Sequence, residues 1–241
     1  MQSPDNIKLE LVKLINKAQP VYPNLASRLD EMRRWIAKTK SGLLMRKKYV
    51  MQLLTELIVD TNIWLELQSI SDEEINAELA QFTPAEKYWY QYLFPAWFNE
   101  KDPKLNMWKK NLMADRFEAS DASEIEDIRQ HIESLGGTTF NPYIADLSMA
   151  TDLIASGKKE LVLCVQLTSI RTSLTANKEN DWLLTLRYWG IVRGLFISFN
   201  PMLVEGEMKI GEYIFRSSDD FSDKCYYVAS IDERGDYVRR I

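Results

Sequence analysis

Three side chains that carry oxygen atoms, Asp152, Gln166 and Thr168, are grouped around one strand-like stretch of this chain. Asp152 precedes a tight turn, and Gln166 and Thr168 alternate at the end of the apolar run 161–167. Carboxylate and amide oxygens are ligands that hard divalent cations accept, so these residue types could support metal-assisted chemistry. Structural interpretations stay open as well. Asp152 could cap a turn through its own backbone, and Gln166 and Thr168 could be ordinary strand residues that face a helix edge.

Other kinds of reactive site find little support in the sequence. The chain has one histidine, His131, and two separated cysteines, Cys164 and Cys225, so no Cys/His spacing suited to zinc exists. Two cysteines do not form a disulfide framework, and Cys164 is interpreted as a small buried thiol. The N-terminus lacks the basic and then apolar pattern of a secretion signal. We therefore expect a cytoplasmic protein.

Composition bounds the class of protein. The chain has 241 residues, of which 46% are apolar, enough for one large domain or two small ones. No uninterrupted apolar run approaches the roughly 20 residues of a membrane helix, so no membrane association is expected. The net charge of −5 argues against a protein that coats nucleic acid nonspecifically.

One stretch of the chain is nonetheless basic. The candidate nucleic-acid contacts in it are Arg33, Arg34, Lys38, Lys47 and Lys48, and no acidic residue separates them. A surface that contacts phosphates is one interpretation. The other is the solvated surface of a helix followed by a basic turn, which is common in helical proteins.

Residues 1–117 are predicted to form an all-α helical bundle. Apolar residues recur every three to four positions over 24–40 and again over 43–67. Ser71 begins a capping-box pattern, Thr83 is expected to cap a helix with proline at its first position, and Pro103 begins the last helix. The aromatic series in 88–98 is interpreted as core, with base stacking as the alternative.

Residues 118–241 are predicted to be an α/β domain. A capping box at Ser123 opens a helix that ends at Gly136-Gly137, and the chain is expected to be extended after Pro142. The predicted elements that follow are strands over 151–155 and 160–168, a helix over 180–193, a strand over 194–199 and a hairpin over 226–231 and 236–241. The strand over 160–168 is nearly continuous in hydrophobicity, as in a strand covered on both faces.

This order of helix, hairpin with an acid, strand with spaced polar residues, crossover helix and strand resembles the PD-(D/E)XK nuclease superfamily, which has the restriction-endonuclease-like fold. The resemblance covers about residues 123–201. Asp152 stands where the family has its hairpin aspartate, although Thr151 replaces the frequent proline. Gln166-Leu167-Thr168 stands where the family has its (D/E)-x-K triplet. The fold class expected is therefore mixed α+β, a helical bundle followed by a restriction-endonuclease-like domain with a central mixed sheet.

The resemblance implies a Mg²⁺ site and roles for individual residues. Asp152, Gln166 and Glu124, with Glu126 as the alternative to Glu124, would hold the metal. Thr168 stands where the family has a lysine that activates the attacking water, and a neutral hydroxyl cannot stabilise hydroxide as an ammonium does. The replacement candidates in this sequence are Lys178, Lys158 and Lys159.

Two functions follow from the resemblance, and one alternative stands outside it. The first is a metal-dependent DNA endonuclease that acts on foreign or mobile DNA, with Arg187 as a further phosphate contact. The second is a nuclease-fold module without activity that binds nucleic acid or a protein partner. The alternative is a helical scaffold with an unrelated α/β part, which would be supported if Asp152 and Gln166 pointed apart. The sequence does not predict the oligomeric state.

Overall fold

The protein has a mixed α+β fold with an open, mixed sheet. The computed structural model describes residues 2–116, 122–169, 175–202, 205–222, 224–232 and 235–241. Its helices are α1 (Pro4–Ala18), α2 (Pro23–Ala37), α3 (Ser41–Leu44), α4 (Lys48–Leu67), α5 (Asp72–Leu79), α6 (Pro84–Tyr88), α7 (Phe94–Asn99), α8 (Leu105–Met113), α9 (Ala122–Ser134), α10 (Tyr143–Met149), α11 (Thr175–Tyr188) and α12 (Gly206–Asp220), with a π-helical turn over Trp89–Leu93. Its strands are β1 (Thr138–Phe140), β2 (Leu153–Ser156), β3 (Val162–Ser169), β4 (Arg193–Phe199), β5 (Cys225–Asp232) and β6 (Gly235–Arg240).

The chain divides into two compact units. The first comprises Met1–Gln81 and Tyr90–Glu118, and the second comprises Phe82–Trp89 and Ala119–Ile241. The predicted boundary between residues 117 and 118 lies outside the described residues. The short helix α6 groups with the second unit, although sequence alone placed it in the first half.

The regular elements described in the first unit are helices, and local signals account for several of their ends. Ser71 caps α5 and Thr83 caps α6, as predicted, and both caps form complete capping boxes. The helix predicted over 24–40 is α2, which ends three residues earlier. The helix predicted over 43–67 is two helices, α3 and α4, because the chain turns between Leu44 and Lys48.

Buried polar groups fix α2 against α7 in the first unit. The Arg28 guanidinium donates to the Trp97 carbonyl at 3.1 Å and to the Glu100 carbonyl at 2.6 Å, and it lies over the Trp97 ring. The Asp102 carboxylate accepts from the indole nitrogens of Trp97, at 3.3 Å, and Trp108, at 3.2 Å. These bonds satisfy groups that would otherwise destabilise a core.

The aromatic series in 88–98 is mostly core, as interpreted from the sequence. The rings of Trp89, Tyr90, Phe94, Trp97 and Phe98 are buried. Tyr92, by contrast, is 61% exposed. Base stacking by the series as a whole is therefore excluded.

The sheet of the second unit follows the order of the sequence, β1-β2-β3-β4-β5-β6. The first three strands pair antiparallel, β3 pairs parallel with β4, and β4 pairs parallel with β5. The predicted hairpin of β5 and β6 closes the sheet and is antiparallel.

Helices cover both faces of this sheet. One face carries the core formed by alternate residues of β2 to β5 with α9 and α12, among them Val165, Ile197, Ile128 and Ile214. The opposite face carries α11, whose Trp182 packs edge-on against Phe196 with ring centroids 5.5 Å apart. Asp152, Gln166 and Thr168 lie on the face of α11, because they alternate with the core residues Leu153, Val165 and Leu167.

Several predicted elements in this half were wrong in kind or in extent. The chain after Pro142 is not extended but forms α10. The crossover helix runs over Thr175–Tyr188 rather than 180–193, and Arg193 begins β4. Helix α12 and the short strand β1 were not predicted. Ser123 is not the cap of α9, since the helix already includes Ala122, and Glu126 binds Arg129 instead.

No helix within the described residues is both long enough and apolar enough to cross a lipid bilayer.

Candidate metal and phosphate site

Asp152 is positioned at the junction between α10 and β2. Helix α10 ends at Met149 and is followed by Ala150, which has a left-handed φ of 52°, and the Thr151 amide donates back to the Ala145 carbonyl at 3.1 Å. The Asp152 amide donates to the Val165 carbonyl at 2.9 Å, so the residue is already fixed against β3. Its side chain is therefore held in place by backbone bonds on both sides.

Asp152 and Gln166 are neighbours across the antiparallel pair of β2 and β3. The register that sets Leu153 opposite Val165, continued by one residue, sets Asp152 opposite Gln166. The Asp152 Oδ2 atom accepts from Gln166 Nε2 at 2.6 Å and from the Leu167 amide at 2.7 Å. The same Nε2 lies 3.3 Å from the Leu167 carbonyl oxygen. The two side chains therefore point toward each other. Side chains that pointed apart would have favoured a helical scaffold with an unrelated α/β part.

The structure adds Asp146, which the sequence analysis missed. Asp146 lies on α10, and its carboxyl group interacts with that of Asp152 through charge and a side-chain hydrogen bond. The sequence signal was the spacing of the apolar residues Ile144, Ala145 and Met149, which is compatible with a short helix that carries Asp146. Because this segment was interpreted as extended, the signal was not used.

The environment of Asp152 disfavours its charge. Removal from water, and then the neighbouring Asp146 carboxyl, raise the pKa of Asp152 well above its usual range. Hydrogen bonds from the Leu167 amide and Gln166 act in the opposite direction but are weaker. A carboxyl group in this condition favours either a proton or a cation.

A lysine ammonium lies at the third position of the triplet. Lys178, in the first turns of α11, places its Nζ atom 3.3 Å from the Thr168 Oγ1 atom. Thr168 is two residues beyond Gln166 on β3 and therefore on the same face of the sheet. The structure thus brings Lys178 to the strand position where the resemblance expects a lysine.

Lys158 and Lys159 lie elsewhere. They belong to the turn between β2 and β3. There the Asp219 carboxylate accepts hydrogen bonds from their backbone amides at 3.0 and 2.9 Å. Ser156, the last residue of β2, is four residues from Asp152, or about 13 Å along a strand. These two lysines are therefore separated from the candidate site by the length of β2.

Glu124 and Glu126 lie in the first turns of α9. Glu124 accepts from the Ser123 hydroxyl at 2.9 Å, and Glu126 is paired with Arg129 at 3.0 Å. Asp146, not Glu124, is the carboxyl group that acts on Asp152 in the structure.

The donor set fits a cation such as Mg²⁺ in kind. Asp152 Oδ2 and the Leu167 carbonyl both face one NH₂ group, that of Gln166, and the Asp146 carboxyl adjoins them. Rotation of the Gln166 amide by half a turn would exchange its nitrogen for its oxygen. Over the part of the chain that the structure describes, no group of three or more His, Cys, Asp or Glu side chains is arranged to hold a metal. A cation here would therefore depend on amide and carbonyl oxygens as well as carboxylates.

The predicted nucleic-acid contacts have mixed environments. Arg33 and Arg34 both pair with Asp30, at 2.6 and 2.9 Å, and Lys47 pairs with Asp115 at 2.5 Å. The remaining members, Lys38 and Lys48, are exposed. Exposed Arg187 lies over the Tyr226 ring, 5.9 Å from its centroid. No acidic residue lies inside the basic stretch, but Asp30 and Asp115, which lie outside it in the sequence, pair with three of its members.

The strand that carries Gln166 also carries a cysteine without reactive character. Cys164 is buried on β3, and burial raises the pKa of its thiol to about 12. A thiol in this state holds almost no thiolate at neutral pH, so it is no nucleophile.

Comparison with known protein families, with characterised proteins and with solved structures finds no match to this chain. The resemblance to the nuclease superfamily therefore depends on the residues and on the topology around them.

Proposed function

We propose that the second unit is a restriction-endonuclease-like domain, following a helical bundle, and that it hydrolyses DNA with a divalent cation. The observation that carries the proposal is the Lys178 ammonium at Thr168. It lies on the face of the sheet where Asp152 and Gln166 meet. In this proposal Asp152 and Gln166 serve as the family's acidic residues, and Lys178, beside Thr168, serves in place of its lysine.

The topology supports the same proposal. Helix α9, the antiparallel hairpin of β2 and β3, helix α11 and the parallel strand β4 follow one another in the order stated for the resemblance, and β1 lies between α9 and this hairpin. Helix α10 is an addition between β1 and β2, and it contributes Asp146.

Each residue has a distinct part in this proposal. Asp152, Asp146, Gln166 and the Leu167 carbonyl would hold the cation. Mg²⁺ bound there would supply a positive charge to polarise the phosphate and to favour ionisation of water. Lys178 would stabilise the negative charge that develops on the attacking water, which Thr168 cannot do. Thr168 accepts from Lys178 and so fixes the direction of the ammonium.

One observation favours the second candidate function, a nuclease-fold module without activity. The Gln166 amide directs a nitrogen, not an oxygen, at Asp152, and the raised pKa of Asp152 favours its protonated form. In this case the hydrogen bonds of Asp152 and Gln166 would stabilise the pairing of β2 and β3 and would not hold a cation. The domain would then bind nucleic acid or a protein partner without turnover.

Cleavage assays with matched lysine variants distinguish the two functions. Linear, supercoiled and single-stranded DNA would be incubated with Mg²⁺ or Mn²⁺ and with wild-type protein, Asp152→Asn or Lys178→Ala. We expect metal-dependent cleavage that Asp152→Asn abolishes and that Lys178→Ala slows by about 10²- to 10⁴-fold. Lys178 is exposed, so its replacement should leave the fold intact.

The control is the double variant Lys158→Ala, Lys159→Ala. It removes two lysines from the far end of β2 and should retain the wild-type rate. Absence of cleavage by the wild-type protein under all these conditions would contradict the proposed hydrolysis and favour the inactive module. Equal loss in the control and in Lys178→Ala would contradict the part assigned to Lys178.

A further inference from the structure

Four hydroxyl side chains form one row across the sheet beside the candidate site. Thr168 on β3 is opposite Ser198 on β4, Ser198 is opposite Ser230 on β5, and Ser230 is opposite Tyr237 on β6. Residues directly opposite one another in neighbouring strands share a face of the sheet. The hydroxyl row, defined by these four residues, therefore lies on the face that carries Asp152, Gln166 and Lys178.

Three members of the hydroxyl row are accessible to solvent, and the fourth, Ser198, is buried. Thr168 and Ser230 are partly buried, and Tyr237 is 62% exposed. Ser198 is buried and donates to the Ala229 carbonyl at 3.3 Å. A ligand on this row would therefore contact Thr168, Ser230 and Tyr237, with Ser198 beneath it.

Helix α11 covers the neighbouring row but begins next to this one. The neighbouring row on the same face is Gln166, Phe196, Val228 and Arg239. Trp182 of α11 packs on Phe196, and Glu179 pairs with Arg239. Lys178, one residue earlier, reaches Thr168. The hydroxyl row thus lies beside the first turns of α11, where the helix dipole favours anions.

An ammonium group lies at one end of the hydroxyl row, and an arginine that is paired with Glu179 lies near the other. The Lys178 ammonium is at Thr168, and the Arg239 side chain, 41% exposed, is two residues from Tyr237 on the same face of β6. Between them the hydroxyl groups of Thr168 and Ser230 can donate to phosphate oxygens. An exposed tyrosine ring can stack on a base, which requires that the base be unpaired.

We propose that the hydroxyl row binds an unpaired polynucleotide strand, with phosphates at Thr168 and Ser230 and a base on the ring of Tyr237. The inference depends on the proposed function, because it names the substrate of that site as single-stranded. Thr168 and Tyr237 are three strand spacings apart, or about 14 Å. At about 3.4 Å per nucleotide in a stacked strand, this span holds about four nucleotides. The bound strand then ends beside Asp152 and Lys178.

Binding without cleavage tests the inference directly. A fluorescently labelled single-stranded oligonucleotide would be titrated with full-length protein in EDTA, and its anisotropy would give the dissociation constant. We expect Tyr237→Ala to weaken binding roughly tenfold, because one stacking contact is lost. Tyr237→Phe keeps the ring and should bind nearly as the wild type does. Unlabelled duplex of the same sequence should compete poorly.

Two controls separate this effect from a general loss of structure. Val238→Ala changes the adjacent residue, which faces the opposite side of β6 and is 40% exposed. Tyr92→Ala removes a tyrosine of nearly equal exposure, 61%, from the first unit. Both variants should bind the oligonucleotide as the wild type does. Tyr237 is exposed, so its variants should keep the wild-type melting temperature.

The outcomes of binding and of cleavage are separable. If the wild-type protein binds no single strand, or if Tyr237→Ala binds unchanged, the inference is overturned. If the wild type cleaves duplex DNA and Tyr237→Ala cleaves it equally well, the hydroxyl row is overturned while the hydrolysis stands. If Tyr237 contributes to binding but no metal supports cleavage, the proposal of hydrolysis is wrong, and the proposal that the hydroxyl row binds a single strand is supported.

Discussion

The carboxyl groups of Asp152 and Asp146 lie close together, and burial already disfavours the charge of Asp152. Burial and the Asp146 carboxyl raise the pKa of Asp152 in the folded protein. The pKa of an aspartate in an unfolded chain is about 3.9. Between these two values the native state binds more protons than the unfolded state, so the free energy of unfolding falls as pH rises. Below the unfolded value both states are protonated, and the residue has no effect on stability.

Asp152→Asn should therefore stabilise the second unit at neutral pH. The gain is expected to grow as the pH rises above the pKa of an unfolded aspartate and to disappear at about pH 3. Urea unfolding of both proteins at intervals between pH 3 and pH 8 measures it. Asp181→Asn, at an exposed position of α11, is the control and should leave the pH profile unchanged. A difference in stability between Asp152→Asn and the wild type that does not grow with pH over this range would contradict the raised pKa of Asp152.

The residue types of the candidate site were readable from the sequence, but their partners were not. Alternation along β3 indicated that Gln166 and Thr168 share a face, and the register brings Asp152 to the same place. Lys178 was one of three candidate lysines, because sequence spacing cannot tell which side chain returns to a strand. Asp146 was missed because its helix has only seven residues.

At the scale of elements, α11 is held close to β4 by a glycine. A Cβ atom at Gly194 would lie 2.3 Å from the Leu186 Cδ1 atom and 2.9 Å from the Trp182 Cζ2 atom. Both side chains belong to α11 and are buried. Since α11 also carries Lys178, the distance between this helix and the sheet sets the place of the ammonium.

Gly194→Ala should displace α11 and so affect both stability and cleavage. Overpacking of a close contact costs about 1–3 kcal/mol, which a lower urea midpoint would report. If cleavage is observed, its rate should fall further than the change in folded fraction explains. Gly42→Ala is the matched control, because a Cβ atom there meets no atom within 4 Å. An unchanged midpoint in Gly194→Ala would contradict the close packing of α11.

Elements with strong local signals were predictable, and those defined by packing were not. The caps at Ser71 and Thr83 and the hairpin of β5 and β6 each have a local cause and form as expected, whereas the capping box expected at Ser123 does not form. Strand β1 has three residues, too few for a pattern of alternation. Helix α12 begins after Glu205, which has a left-handed φ of 57° and makes no side-chain cap, so no residue marks its start.

At the scale of the whole molecule, an acidic chain can bind a nucleic acid through only a few cations. The net charge is −5, and much of the basic stretch in the first unit is paired with acids. Nucleic-acid affinity falls with salt in proportion to the number of phosphates neutralised. The salt dependence of binding therefore reports which set of cations is used.

The dissociation constant for a single strand should depend weakly on salt. Because Arg239 is paired with Glu179, Lys178 is the cation expected to neutralise a phosphate, and the logarithm of the association constant should change with the logarithm of salt with a slope of about −0.7. Binding through all five candidates of the basic stretch would give a slope of about −3.5 instead. Titrations between 50 and 300 mM NaCl, roughly the range in which such effects are measured, distinguish them. The variant Lys38→Ala, Lys48→Ala should leave the slope unchanged, and a smaller slope in this variant would assign binding to the first unit.

The reaction of the two buried cysteines with an alkylating reagent can report local unfolding of the second unit. Cys164 and Cys225 are both buried, on β3 and β5, and every cysteine of the chain is in this unit. An alkylating reagent can reach Cys164 only when β3 separates from its neighbours, and Gln166 is two residues away on that strand. The rate of alkylation thus measures how often the strand beneath the candidate site is exposed. A ligand that binds across β3 should slow that rate, even if it is never cleaved.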